Sequence, residues 1–335
     1  MELSSQLVLR TFVTIAVSAL LLGFFNIHWL TRLRLVIVTA LGAAILGLTA
    51  LPLIKPAVPL GAVTIFTGDI TFVDAITCVI LAYLAGFIAY FAAIPQGRQI
   101  APLAAPAGLA VWALASGDMA SLLRINHSID QRRRLYAVMK WEAFFWLAIL
   151  AAGYCGVLTA EKLHLKKPLP TDTPKNSKPQ PGKILSIATA IILTIVVAQI
   201  AISLFAQDVK MADHELGFVV GQPATTQIAF AVVLAFAITA FLAKKFLNVS
   251  YIFCTIAAVG VSIFAVTICA KEDVMIHMAE NWPVQVFTRS ICAVLPLQMV
   301  TFAAFGSIAG YWIALKWTGW SHHTEETDLQ NSVHG

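Results

Sequence analysis

Asp74 is the residue whose setting most suggests chemistry. It lies about one helical turn into the apolar run Ile70–Ile94. An acid at the centre of a bilayer costs about 2.5–3.5 kcal/mol, and less near the interface. Two readings follow: a protonatable or cation-coordinating group facing a cavity, or an interfacial acid bonded to a neighbouring helix. Gln227, opening a later apolar run, is the second candidate for a substrate or ion path. Its plainer reading, shared by Gln199, is a hydrogen bond to another helix, worth ~0.6 kcal/mol on average. Asp69 follows Gly68 and reads as a helix N-cap.

Two His-x-x-acid pairs come next, His127 with Asp130 and His277 with Glu280. Residues three apart share a helix face, so each pair brings an imidazole beside a carboxylate. Two histidines and two carboxylates make a Zn or Fe ligand set if the pairs converge. Solvated loop side chains are the alternative, and no cofactor is called for. Arg132, Arg133 and Arg134 lie in a segment, Arg124–Lys140, that reads as an interfacial amphipathic helix. There Leu122, Leu123, Ile125, Ile129, Leu135, Val138 and Met139 rest on lipid while the arginines reach headgroups. An anionic substrate site is the rival reading.

Several mechanisms lack their signatures. The chain has no GxxxxGK[ST] loop, no HExxH, no GxSxG and no CxxCH. Nucleotide hydrolysis, the commonest metalloprotease and serine-hydrolase chemistries and covalent haem attachment therefore have no support. The five cysteines fall in or beside apolar runs with no CxxC spacing. They are expected to behave as small hydrophobes, without a disulfide framework or thiolate metal site.

The elements that must position these groups are set by composition. The chain is 59% hydrophobic and 12% charged, with a mean hydropathy of +0.83. A soluble domain is nearer half apolar and a quarter charged. The solvent is therefore lipid, and continuous rather than alternating apolarity means helices. The net charge of +5 lies in loops beside apolar runs, which suits anionic headgroups and not nucleic acid. Membrane lipids are the expected partners, with protein partners or a homo-oligomer left open.

At about 20 apolar residues per crossing, the runs give about nine spans. They lie near Thr11–Ile27, Leu35–Ile54, Ile70–Ile94, Ile100–Gly117, Ala143–Ala160, Ile184–Ala206, Thr226–Ala243, Val249–Ala270 and Ile291–Leu315. Tryptophans mark several ends, at Trp29, Trp141, Trp282, Trp317 and Trp320, whereas Trp112 and Trp146 read as packing residues. Between the two apolar blocks runs a water-soluble strap, Glu161–Lys183, with six lysines and five prolines. The expected fold is an all-α polytopic bundle. Its parts are an N-terminal helix and loop (1–34), a first unit (35–160), the strap (161–183), a second unit (184–316) and a polar tail (317–335). An N-out, C-in arrangement puts Arg32, Arg34, Arg98, the strap, Lys244, Lys245 and the tail in the cytoplasm. It leaves the Gly117–Trp141 loop, with its arginines, on the wrong side.

The two units look related. Gly68–Asp74 and Gly221–Gln227 open corresponding spans, small-residue spans follow in both, and each then has a His-x-x-acid loop. Duplication of this kind, with an even number of spans per unit, gives a parallel repeat. Three function classes fit. The first is a transporter or permease-type protein or subunit moving a small solute or ion. The others are a non-catalytic scaffold of a larger complex and an intramembrane metal-assisted enzyme.

Overall fold

The computed structural model describes residues 29–56, 61–65, 70–164, 181–207 and 209–333, with side chains described up to Trp317, Pro181 excepted. The expected first span, Thr11–Ile27, and Asp69 lie outside the described residues. So does most of the strap, whose described ends belong to helices.

Among the described residues seven helices are long and apolar enough to cross a membrane. An eighth crossing is a bent pair, Gly97–Ala115 with Met119–Ile125, which turns by 54°. Helix α1 (Trp29–Gly42) widens into a π-helical turn, Ala43–Leu48, and a short α2 (Leu51–Ile54) follows. Helix α3 spans Phe72–Ala92. The broken crossing comprises α4 (Gly97–Ile100), a 3-10 turn carrying Pro102, α5 (Ala104–Ala115) and α6 (Met119–Ile125). Its break has local causes. Gly117 donates its N–H to the Gly61 carbonyl at 3.1 Å, and Asp118 restarts the helix by accepting the Ser121 N–H at 2.8 Å.

Helix α7 runs unbroken from Ile129 to His164. At 1.5 Å per residue its 36 residues span about 54 Å, against a hydrocarbon core of about 30 Å. The expected interfacial helix over Arg124–Lys140 is therefore corrected. Its first part is α6, and its second is the extramembrane start of α7. Leu122, Leu123, Leu135 and Met139 are buried in the core and do not lie on lipid.

The second half contains α8 (Pro181–Phe205), α9 (Thr225–Leu247), α10 (Tyr251–Cys269), α11 (Glu272–Asn281) and α12 (Pro296–Val333). Helix α12 continues into the expected polar tail. A small antiparallel sheet amends the all-α expectation. Strand β1 (Lys210–Asp213) pairs with β2 (Gly217–Gly221), with Lys210 opposite Val220. Val220 and Gly221 in turn face Phe287 and Val286 of β3 (Val286–Phe287). Its turn closes because Asp213 accepts the N–H groups of Glu215 and Leu216, and Gly217 takes a φ of 76°.

Two helix pairs meet backbone to backbone. A Cβ on Gly86 or Gly156 would clash with the Gly153 or Tyr83 carbonyl, locking α3 on α7. Gly306 and Gly310 likewise meet the Val233 and Ala237 carbonyls, locking α12 on α9. Small residues at such crossings are how helices associate where water supplies no hydrophobic drive. Helix α12 is the central element: 72% of its apolar window is buried, against 22% for α8.

The two ends of the bundle differ. One end joins α11, the sheet and the start of α7, and is closed by a Cys269–Cys292 disulfide with Cα atoms 6.4 Å apart. This bridge corrects the expectation of free cysteines. The 23-residue separation hid it, because α11 folds back to return Cys292 to the end of α10. At the opposite end Arg98 pairs with Glu161 at 3.3 Å, and Lys245 sits 4.9 Å from the Trp317 ring.

Candidate functional site

The side chain with the strongest claim to chemistry is Glu142. It is fully buried in α7, at 0% exposure. One carboxylate oxygen accepts the Trp146 indole N–H at 3.0 Å, and the other has no side-chain partner among the described residues. No described Lys, Arg or His forms an ion pair with it. The Ile65 backbone amide lies near the carboxylate, on a buried non-helical segment, 61–65. Non-helical backbone survives at membrane depth only inside protein or beside a cavity.

The surroundings are built to hold that acid in place. Residues Leu135, Met139, Glu142, Trp146, Ile149, Gly153, Gly156 and Ala160 recur at alternating steps of four and three and are all buried. Glu142 thus occupies a core position of α7. Trp146 packs 6.1 Å from Trp112, whose own N–H is donated to the Gly47 carbonyl at 2.7 Å. That carbonyl is available because α1 widens into a π-helical turn there, a feature frequent at functional sites. Trp112 and Trp146 are therefore hydrogen-bonding residues as well as packing ones. Gln298 of α12, also fully buried, donates to the Ala113 carbonyl at 3.4 Å and accepts the Leu295 N–H at 3.2 Å.

The expected site residues are used elsewhere. Asp74 sits in a capping box. It accepts the N–H and hydroxyl of Thr71 at 3.0 and 2.7 Å and donates its own N–H to that hydroxyl. Gln227 donates to the Phe205 carbonyl at 3.2 Å and ties the end of α8 to the start of α9.

The four metal candidates are not brought together, and no group of metal-ligating side chains occurs among the described residues. His127 is exposed in the turn before α7, and Asp130 pairs with Arg133 at 3.4 Å. The ring nitrogens of His277 are instead taken by Asp213 and Glu215 of the hairpin, at 2.9 Å each. Arg132 donates to the Asn126 carbonyl, Arg133 bridges to Glu272 at 2.6 Å, and Arg134 is exposed.

The His277 contact is a compact polar network outside the lipid. Asp213 also accepts the Trp282 indole N–H. Hydrogen bonding from His277, then from the Leu216 backbone, holds the Asp213 carboxyl well below the usual carboxylate range. The bond to Asp213 raises the His277 imidazole above its ordinary value.

No family model matches the chain, and no curated protein and no solved structure is similar to it.

Proposed function

We propose that the chain is a multi-pass permease that passes protons, with Glu142 as the group that takes them up and gives them away. One observation carries this reading: a fully buried carboxylate in a membrane bundle, fixed by Trp146 and with no cationic partner among the described residues. A carboxylate removed from water without a cation must take up a proton or a cation. Intramembrane acids of this kind mark ion and proton pathways. The broken crossing at Gly117 and the buried segment 61–65 support the same reading, since interrupted elements line such pathways.

The bundle is two related units, 35–160 and 184–316. In support, the second and fourth spans of each are closed through glycine, α3 on α7 and α9 on α12. The orientation is N-out and C-in. A disulfide forms in an oxidising compartment, which favours the end carrying Cys269–Cys292 as the outside. Arg98, Lys244 and Lys245 then face the cytoplasm, as the positive-inside rule asks. The arginines in the first turns of α7 fall outside, where Glu272 and Asp130 pair with Arg133.

The test is proton flux into vesicles that hold the purified chain and a trapped pH-sensitive dye. Flux above protein-free vesicles, lost in Glu142→Gln, supports the reading. Wild-type flux equal to protein-free vesicles would overturn it and leave the scaffold class.

A further inference from the structure

Hydroxyls in these helices fall into two sets. Where Thr77, Thr159, Thr194 and Thr267 occur, each hydroxyl is donated to the carbonyl four residues back, at 2.8, 2.6, 2.7 and 2.7 Å. Thr239 donates to the Phe236 carbonyl at 3.1 Å. Such back-bonding is the cheapest way to satisfy a hydroxyl in an apolar medium. Ser262 of α10 and Thr301 and Ser307 of α12 depart from it. Their exposures are 4%, 0% and 0%, and their oxygens have no protein partner. A hydroxyl buried dry and unpartnered is costly, so these three need a polar partner that is not protein.

Their placement is not random. Thr301 and Ser307 lie six residues apart on the central helix, about 9 Å along its axis. Cys269 ends α10, and its disulfide partner Cys292 lies in a 3-10 turn, Ser290–Ala293, just before α12. Ser262 lies seven residues, about 10 Å, before Cys269 on α10, and Thr301 and Ser307 lie about 7.5 and 16.5 Å into α12 from Pro296. Beyond Ser307, one turn further along α12, comes Tyr311, whose ring lies 5.4 Å from that of Tyr251. Lys244 stands 5.3 Å from the same Tyr311 ring, at the basic end of the bundle.

We propose that Ser262, Thr301 and Ser307 hold a file of water molecules that runs between α10 and α12 toward the Tyr251–Tyr311 end. Each hydroxyl donates to one water and accepts from another, and a few waters bridge the 9 Å interval at hydrogen-bond spacing. What the file carries rests on the proton-permease reading of Glu142; its existence does not. On that reading a proton released by Glu142 enters the file as another is taken up from the outer side, so charge at the carboxyl is restored in each cycle.

Thiol labelling tests the file independently of transport. The full chain, with Cys78, Cys155 and Cys254 replaced by alanine and the disulfide kept, receives Ser262→Cys, Thr301→Cys or Ser307→Cys. Thr194→Cys and Thr239→Cys are the controls, being equally buried but back-bonded. The probe is the small cationic reagent methanethiosulfonate ethylammonium, which reacts with thiolate in water. The file predicts that the three positions label roughly tenfold or more faster than the controls, about the margin that 1.4 kcal/mol of access would give. Equal rates at all five positions would overturn it. A measurement without substitution guards against misfolding: water-to-protein cross-peaks in solid-state NMR, expected at Thr301 and Ser307 and not at Thr194. Their absence at Thr301 and Ser307 would also overturn the file. Selective labelling without Glu142-dependent flux keeps the file and removes the permease reading. Glu142-dependent flux with uniform labelling does the reverse.

Discussion

In the α3–α7 pair, Gly86 and Gly156 let two backbones touch, and about three to four turns nearer the disulfide-bearing end α7 buries Glu142. In the α9–α12 pair, Gly306 and Gly310 do the same, and α12 buries Gln298, Thr301 and Ser307. The closures are alike and the fillings are not. One pair encloses a group that can change charge, the other only neutral donors and acceptors. Close packing fixes where a polar group sits, and the group's chemistry decides what it does there. On the function proposed above, that division would put proton uptake in the first pair and conduction in the second.

The sharpest way to break the comparison is at the glycines. Gly86→Val and Gly310→Val should each cost about 3 kcal/mol or more, because the new side chain meets a carbonyl that cannot move aside. Unfolding of the purified chain in detergent would measure this. A large loss in one pair and none in the other would mean that the two closures are not equivalent.

Next in size is the disulfide, which ties the end of α10 to the turn before α12 and has no counterpart among the described residues of the first half. Cys269→Ala with Cys292→Ala should cost about 2–4 kcal/mol for a loop of this length. The oxidised wild-type chain should also resist thiol blocking at both positions until it is reduced. Ready blocking at Cys269 or Cys292 without reductant would remove the main support for the N-out orientation.

Smaller effects separate the two fillings. Trp146→Phe removes the side-chain donor to Glu142, and Trp112→Phe orphans the Gly47 carbonyl. Each should cost about 1–3 kcal/mol, but only Trp146→Phe should also change the pH profile of proton flux. Identical pH profiles in the two variants would reduce Trp146 to packing.

The least of the expected effects lies outside the bundle. His277 is raised by its bond to Asp213, so its contribution is full below the ordinary imidazole value of about 6.5 and fades as pH rises through the raised one. Asp213 is lowered by the same bond, so its contribution is present above about 3.9 and fades as pH falls through the lowered value. Hydrogen-exchange protection in β1, β2 and α11, taken relative to the intrinsic rate at each pH, should therefore be greatest between those values. His277→Gln should flatten the dependence without touching the spans. A wild-type profile already flat would contradict the assignment.

Much of the frame was legible because apolar run length is a direct reading of bilayer thickness. Eight of the expected spans have a counterpart in the described residues, with α1 and α7 starting earlier. Glu142 was missed for a local reason. Apolarity alone starts the fifth span at Ala143, which leaves Glu142 in the loop beside exposed Trp141. The alternating four- and three-residue spacing from Leu135 to Ala160 was present in the sequence and places it inside. Asp74 drew attention by lying within an apolar run, yet the Thr71 hydroxyl three residues earlier already spelled a capping box. The partners of His277 were out of reach, since Asp213 is 64 residues away and is delivered by a hairpin that no apolar run announces.

Proton flux through vesicles containing wild-type chain, Glu142→Gln or Glu142→Asp tests the role of Glu142 most directly. Wild type should collapse an imposed pH gradient faster than protein-free vesicles. Glu142→Gln should be at least about tenfold slower than wild type, a change of about 1.4 kcal/mol in barrier height, and Glu142→Asp should fall between them. Equal rates for wild type and Glu142→Gln would contradict the central claim.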